Sequence, residues 1–405
     1  MKHTIIFFKG IYDTLDLFTD NLIEAFTSMG YRTFVYDAGF QEISKAELLA
    51  LLEAENGTPF AVVTFNNMGY NLSMYICDDQ SPEEVLNEKS EVNIWEYYDI
   101  PYINILMDHP FHYERPLRNA PSTAIVLCTD RNHVKYIRRF FKNISKADFL
   151  PHAGVELHCK HKPLTERGID VLYAGALPIY TVSKMIPDLS SIKELDAQKM
   201  AGEVLQELVA HPEKTTEQAI EEYVRAAGVC MAEEDLQHLI VKMRFLDSYA
   251  TSFFREQAVR ILVESGIRVT AYGVGWNQCD WSDNPYLTYG GKVLAPQILP
   301  LMNNSKIVLN TMTWFKAGAH DRVFNGMLAG AAVVTDDSTY MRQQFTDGKE
   351  LVMFSLKELG TLPERVFDLF GHMQQMQEMA DCGYEAAKDG HTWKSRAEYI
   401  CECYL

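Results

Sequence analysis

The sequence predicts an α/β protein built as two doubly wound domains, and three observations predict it. Short apolar runs that read as buried strands alternate with amphipathic helical stretches through both halves of the chain. Strand ends pass repeatedly into polar or glycine-bearing loops, as at Lys9-Gly10, Asn66-Asn67, Ala174-Gly175 and Gly273-Val274-Gly275. The chain's 405 residues exceed what one hydrophobic core usually holds.

Taken in order, Thr4–Phe8 is an apolar strand broken by Lys9-Gly10. Asp16–Met29 has helical spacing in Leu17, Phe18, Leu22, Ile23 and Phe26, with Gly30 placed to end it. Arg32–Tyr36 is the next strand, so the chain opens as β-loop-α-β with parallel pairing. Phe60–Phe65 is a strand that runs into the polar turn Asn66-Asn67-Met68-Gly69, and Glu91–Tyr98 reads as a helix. Tyr102–Met107 is a strand ending in Asp108-His109-Pro110, and Thr123–Cys128 another, followed by a basic helix around His133–Lys142. At Asp108-His109 a carboxylate beside an imidazole at a strand end can supply a general base, or Asp108 caps a turn that Pro110 fixes. Lys9, Asn67 and His152 also sit at strand ends, where each serves either a turn or a ligand.

His158–Gly168 is polar and basic and reads as a linker. Ile169–Tyr173 restarts a strand, and Ala174-Gly175-Ala176 after it suits close approach to a phosphate. Residues from about 182 to 250 read as an acidic helical insertion, with amphipathic stretches at Glu203–Val209, Glu217–Ala227 and Leu236–Phe245. Phe253–Val263 is a helix, Val269–Tyr272 a strand, and Gly273-Val274-Gly275-Trp276 a second glycine loop. Tyr289–Val293 precedes a helix at Pro296–Met302. Then Ile307–Leu309 forms a strand, Thr313–Asp321 a polar loop, and Val323, Phe324, Met327 and Leu328 the buried face of a helix. Gly330 ends that helix, Ala331–Val334 returns as a strand, and Thr335–Ser338 offers N-caps to the next helix. A polar loop at a helix N-terminus beside a parallel strand's end is where an anion such as a diphosphate binds.

Composition narrows the function. Hydrophobic residues at 47% and charged residues at 23% are ordinary for a soluble globular protein. The net charge of -18 argues against nucleic acid or an anionic membrane surface as the main partner, but leaves room for a small anion in a basic pocket. Eight cysteines without zinc-like spacing fit reduced cytosolic thiols and no bound metal. Met1-Lys2-His3 leads straight into a strand too short for a signal peptide or a membrane span, so a cytoplasmic location is expected. No basic amphipathic helix marks a membrane anchor, although peripheral association stays open, as does oligomeric state.

The residues also carry a resemblance. Lys306–Asn310, His320-Asp321-Arg322-Val323-Phe324-Asn325 and Leu328-Ala329-Gly330-Ala331 are its strongest part. Tyr272–Trp276, Asp347–Glu350, His391-Thr392-Trp393 with Arg396, and Asp108–Phe111 support it. The order resembles that of a GT-B glycosyltransferase of the group-1-like type, related to spore-maturation-protein (CgeB-like) glycosyltransferases. The resemblance implies two Rossmann-like domains facing across a cleft: 1–157 for the acceptor, 158–385 for the nucleotide-sugar, and 386–405 as a helix crossing back to the first domain. It implies a nucleotide-sugar substrate such as a UDP-sugar, no cofactor, and a glycan, lipid or protein acceptor, as in bacterial surface-glycan synthesis. Donor-side residues would be Gly175, Trp276, Val293, Thr313, His320, Asp321, Arg322, Phe324 and Asn325. Trp276 can equally plug the core, and Phe324 can pack rather than bind. Acceptor-side residues would be Lys9, Asn67 and His152. Arg322, with His320, would stabilise the departing diphosphate without a metal. Retaining relatives carry two Glu residues with seven between them; aligned on Gly330, Ala317 and Asn325 stand there instead. An inverting transfer is then expected, with Asp108 or His109 as the base. A non-hydrolysing sugar-nucleotide epimerase and a non-catalytic nucleotide-sugar-binding protein are the competing readings on the same fold.

Overall fold

The computed structural model describes residues 3–55, 57–77, 89–179, 182–189, 192 and 195–405. The chain separates into two compact units, Met1–Leu150 with Trp393–Leu405, and Pro151–Thr392. The unit boundaries therefore fall at 150/151 and 392/393, against the expected 157/158 and 385/386.

The first unit holds β1 (Thr4–Lys9), α1 (Asp13–Ser28), β2 (Arg32–Asp37), α2 (Gln41–Ala54), β3 (Phe60–Phe65), β4 (Ser73–Cys77), β5 (Lys89–Asn93), α3 (Ile94–Tyr97), β6 (Tyr102–Leu106), α4 (Glu114–Arg118), β7 (Ala124–Cys128), α5 (Arg131–Phe140) and β8 (Lys146–Phe149). Six strands form a parallel sheet in the order β2-β1-β3-β6-β7-β8. β3 and β6 are buried at every residue, which is why both are mainly apolar and lack the alternation of a half-exposed strand. One expectation needs correcting. Glu91–Tyr98 is not a helix throughout, because Lys89–Asn93 pairs antiparallel with β4. Asn93 then caps the short α3 by accepting the Trp95 amide, and Ile94 and Trp95 enter the core. The final helix, α16 (Trp393–Tyr404), completes this unit. Its Trp393 ring lies 4.8 Å from Phe18 and 5.4 Å from Phe65, and the Tyr404 hydroxyl donates to Asp148 at 2.9 Å.

The second unit begins with β9 (Ile169–Ala174), then α6 (Val182–Met185), α7 (Ala197–Ala210), α8 (Thr216–Ala226), α9 (Glu233–Met243) and the long α10 (Phe245–Glu264). It continues through β10 (Val269–Tyr272), β11 (Leu287–Gly291), α11 (Ala295–Asn303), β12 (Ser305–Asn310), α12 (Asp321–Leu328), β13 (Ala332–Asp336), α13 (Thr339–Gln344), β14 (Val352–Phe354), α14 (Leu362–Gly371) and α15 (Met373–Gly390). The parallel sheet runs β11-β10-β9-β12-β13-β14. Counted from β9, this is the order 3-2-1-4-5-6, which reverses direction between β9 and β12. Ala258, Val259, Leu262 and Val263 of α10 pack with strand residues such as Val171, Ala271 and Leu309 in one core. The insertion helices are held by local signals, among them a Thr215–Gln218 capping box on α8. Among the described residues, no helix is long and apolar enough to cross a membrane.

Candidate functional site

The reversal between β9 and β12 leaves a crevice at the strands' carboxyl ends, where ligands bind in open α/β sheets. β9 ends at Ala174 and passes into Gly175, β12 ends in Asn310, and α12 begins immediately after His320. Arg322, in the first turn of α12, reaches back across this crevice. Its Nη1 donates to Asn310 Oδ1 at 2.6 Å, and its guanidinium lies 5.3 Å from the Tyr173 ring centre. A Cβ on Gly175 would stand 3.1 Å from Nη2, so glycine leaves the fork room there. The supports are buried and polar: Asn310 donates to Thr335 Oγ1 at 2.9 Å, and the Tyr173 and Thr311 hydroxyls lie 2.8 Å apart.

A second arginine joins it. Arg255, on the buried side of α10, donates to the Ala176 carbonyl and lies 5.9 Å from the Trp314 ring centre. Its Nε is buried without a hydrogen-bond partner, and so is Thr313 Oγ1 in the loop after β12. Burial, and then the neighbouring Arg255, push the pKa of Arg322 down, partly opposed by Tyr173, Asp321 and Asp336. Two adjacent buried cations with donors to spare favour an anion. Lys316, in the same loop, donates to the Pro212 carbonyl.

His320 caps α12. Its Nδ1 lies 3.1 Å from the Arg322 amide nitrogen and 2.7 Å from Asp321 Oδ1, so protonating it would trade the first contact for the second. Burial lowers the ring's pKa against the pull of Asp321, which favours the uncharged, capping form near neutrality. Burial works to raise the Asp321 carboxyl, but His320, His152 and Arg322 outweigh it and hold it below the usual range. Asp336, at the end of β13, accepts the Met312 amide at 2.7 Å, and burial pushes its carboxyl up to about 7.

The other expected donor-side residues divide. Trp276 is fully buried and donates its indole N–H to the Gly175 carbonyl at 2.8 Å, so it props the loop and offers no face to a base. Phe324 is buried and stacks on His391 with ring centres 4.6 Å apart. Asn325 accepts the Val155 amide at 2.8 Å and donates to Asp321 at 2.9 Å, so both ends of its amide tie the chain together. Val293 is half-buried beyond the end of the edge strand β11, two strands from Gly175. His152, expected on the acceptor side, belongs to the second unit: its ring lies 6.0 Å from His320 and 5.5 Å from Phe315.

In the first unit the corresponding reversal falls between β1 and β3. Asn66 and Asn67, after β3, both adopt left-handed backbone with φ of 47° and 63°. Asn66 accepts the Met107 amide at 2.9 Å and donates to Asp108 at 3.3 Å. Asp108 is exposed and also accepts the Tyr113 hydroxyl at 2.6 Å. His109 is different: its Nδ1 accepts the Phe111 amide, its ring stacks on Phe111 at 3.7 Å, and burial holds its pKa well down. That environment disfavours the imidazolium a base must become, and it packs the ring away from solvent. Asn67 is buried in a reciprocal pair with Asn104, at 2.8 Å each way, and Lys9 is paired with Asp20 at 2.5 Å.

Arg255, Asn310, Lys316 and Asp336 were not anticipated as site residues. Arg255 had one readable signal, a cation on the helical face that also carries Ala258, Val259 and Leu262. Asn310 and Asp336 end apolar strands, which is common to many sheets.

Comparison with known proteins fits this geometry. Residues 251–402 match the family model described as "Glycosyl transferase-like". The structure superposes on sucrose-phosphate synthase from Thermosynechococcus elongatus with a TM-score of 0.54 and 9% identity, over 100% of this chain and 98% of that one. The chain has the GT-B fold. A similar superposition holds for an alpha-glucosyltransferase in complex with UDP and a 13-mer DNA, with a TM-score of 0.51 and 9% identity over 99% of each chain. A T4 phage BGT mutant in complex with UDP-glucose gives a TM-score of 0.50 and 11% identity over 100% of each chain. No curated protein matches this sequence. Within the GT-B fold, the matched stretch runs from α10 to α16 and so includes both Arg255 and Arg322.

Proposed function

We propose that this protein is a glycosyltransferase that moves a sugar from a nucleoside-diphosphate donor to an acceptor hydroxyl. The observation that carries the reading is the convergence of Arg322 and Arg255 on the Gly175-Ala176 strand end, beside the N-terminus of α12. As the glycosidic bond breaks, negative charge grows on the leaving diphosphate. Fixed guanidinium donors and helix amides at that place lower the barrier most when they are already oriented. Asn310, Tyr173 and His320 provide that orientation. No carboxylate stands at positions 317 and 325: Ala317 is buried, and the Asn325 amide is bonded at both ends. That supports single-displacement, inverting transfer, with the exposed Asp108 taking the acceptor's proton.

UDP is the first nucleotide to try, since two of the compared structures hold UDP or UDP-glucose. The reading extends to the group-1-like, spore-maturation-related subtype and to a cytoplasmic enzyme of surface-glycan synthesis. The quoted motifs support the subtype, and cysteines that form no disulfide among the described residues suit a reducing compartment. A thermal-shift series with nucleoside diphosphates and their sugars tests the core of it. One nucleotide family should raise the melting temperature of the wild type and fail to do so for Arg322→Ala. If no nucleotide shifts the wild type, the proposal falls.

A further inference from the structure

The basic stretch 158–168 has the sequence of a linker, but it builds a cavity at the end of the second sheet opposite Arg322. Arg167 immediately precedes β9 and is only 3% exposed. Its Nη1 donates to the carbonyl of Ser305, where β12 starts, at 3.0 Å, and to that of Ala329, just past α12, at 3.2 Å. Its Nε donates to the Lys162 carbonyl at 3.0 Å. Its Nη2 is buried and has no hydrogen-bond partner. A guanidinium fixed at two nitrogens and unsatisfied at the third is an anion receptor with one bond still to make.

That residue lines a cavity of about 600 Å³, within the size range of small-molecule sites. Lys160 and Lys162, both exposed, stand at the same cavity. The lining also includes the carboxylates Glu166 and Asp381. Asp381 is steadied by Gln377, whose Nε2 donates to it at 2.8 Å while its Oε1 accepts the Leu164 amide at 2.7 Å. A naked anion would gain nothing from the carboxylates, but a phosphorylated polyol presents hydroxyls to them.

We propose that this cavity is a second small-molecule site, separate from the donor crevice, and that it takes a phosphorylated sugar or polyol. Arg167, Lys160 and Lys162 meet the phosphate, while Glu166 and Asp381 accept hydrogen bonds from the hydroxyls. The site touches the C-terminal end of α12, and the donor crevice touches its N-terminus.

Calorimetric titration of the full chain with glucose 6-phosphate, with glucose as the control, tests this. Glucose 6-phosphate should bind the wild type and Arg322→Ala equally, and glucose should bind neither. The double variant Lys160→Glu/Lys162→Glu, changed only at exposed positions, should keep the wild-type melting temperature and lose at least tenfold in affinity. Arg167→Lys, which keeps the charge but not the fork, should also weaken binding. The proposal is overturned if the wild type does not bind glucose 6-phosphate, or if glucose binds as well. It is equally overturned if binding survives both lysine changes. Binding lost in Arg322→Ala would place the ligand in the donor crevice instead.

Discussion

Arg255 and Arg322 do different work although both are buried cations. Arg322 is held by side chains, from Asn310 and Tyr173, whereas Arg255 is held by one backbone carbonyl and keeps a buried Nε unsatisfied. A ligand diphosphate would relieve that Nε. Arg255→Met keeps the packing stem but removes the charge. Losing a charge-assisted hydrogen bond is worth about 1.5–3 kcal/mol, so UDP affinity should fall roughly 10- to 100-fold by calorimetry. An unchanged affinity would remove Arg255 from the site. Asp336 gives a second test, through pH. Its folded-state carboxyl, near 7, lies above its ordinary value of 3.8, so the native state binds more protons than the unfolded state between those values. Wild-type stability therefore falls as pH rises through that window. Asp336→Asn keeps an oxygen for the Met312 amide and cannot ionise. Its stability relative to the wild type should climb between pH 5 and pH 8 by about 2–3 kcal/mol, measured by denaturant unfolding. A pH-independent difference would mean the carboxyl is not suppressed in the fold.

At the scale of the element, the two glycine loops of the second unit show what sequence can and cannot say. Both read alike, as small-residue turns after strands that let a phosphate approach. In the structure they serve each other: Gly175 donates its amide to the Tyr272 carbonyl at 2.9 Å, and Leu177 to that of Val274 at 2.8 Å. A Cβ on Gly275, whose φ is 103°, would fall 1.9 Å from the Leu177 carbonyl oxygen. What approaches that glycine is backbone, and the requirement looks identical in sequence whichever partner imposes it. Only Gly175 also faces Arg322. Gly275→Ala should therefore cost about 1–3 kcal/mol or more from overlap and strain. Because it displaces the loop under Arg255 and Arg322, it should weaken nucleotide binding as well; a stable variant with wild-type UDP affinity would separate the loops from the site. The strands were legible because burial on both faces leaves mainly apolar runs, as in β3 and in Ile307–Leu309 of β12. The β4–β5 hairpin was not, since Ser73–Cys77 and Lys89–Asn93 mix polar and apolar residues in a way that also suits a helix. Likewise Trp276, Phe324 and His109 drew notice beside motifs, but chemistry-bearing rings next to a motif are often its packing.

At the scale of the whole chain, the last helix is the feature whose placement says most. α15 ends at Gly390 and α16 starts at Trp393, and the unit boundary falls between Thr392 and Trp393. The chain thus returns to the first unit over its final 13 residues, and Trp393 enters a core made by residues more than three hundred positions earlier. Phe18 of α1 and Phe65 at the end of β3 flank its ring, and Lys146 lies 4.1 Å from the Tyr404 ring centre at the helix's far end. These contacts close a very long loop, so their entropic cost falls on folding rate and their energy on the first unit's stability. Truncating a buried Trp costs about 3–5 kcal/mol. Trp393→Ala should therefore speed native-state hydrogen exchange in α1, β1 and β3, while amides of β9 and β12 keep their protection. If instead protection falls equally in both units, the helix stabilises the chain as one cooperative body, and the division at Thr392 is one of contacts rather than of energy.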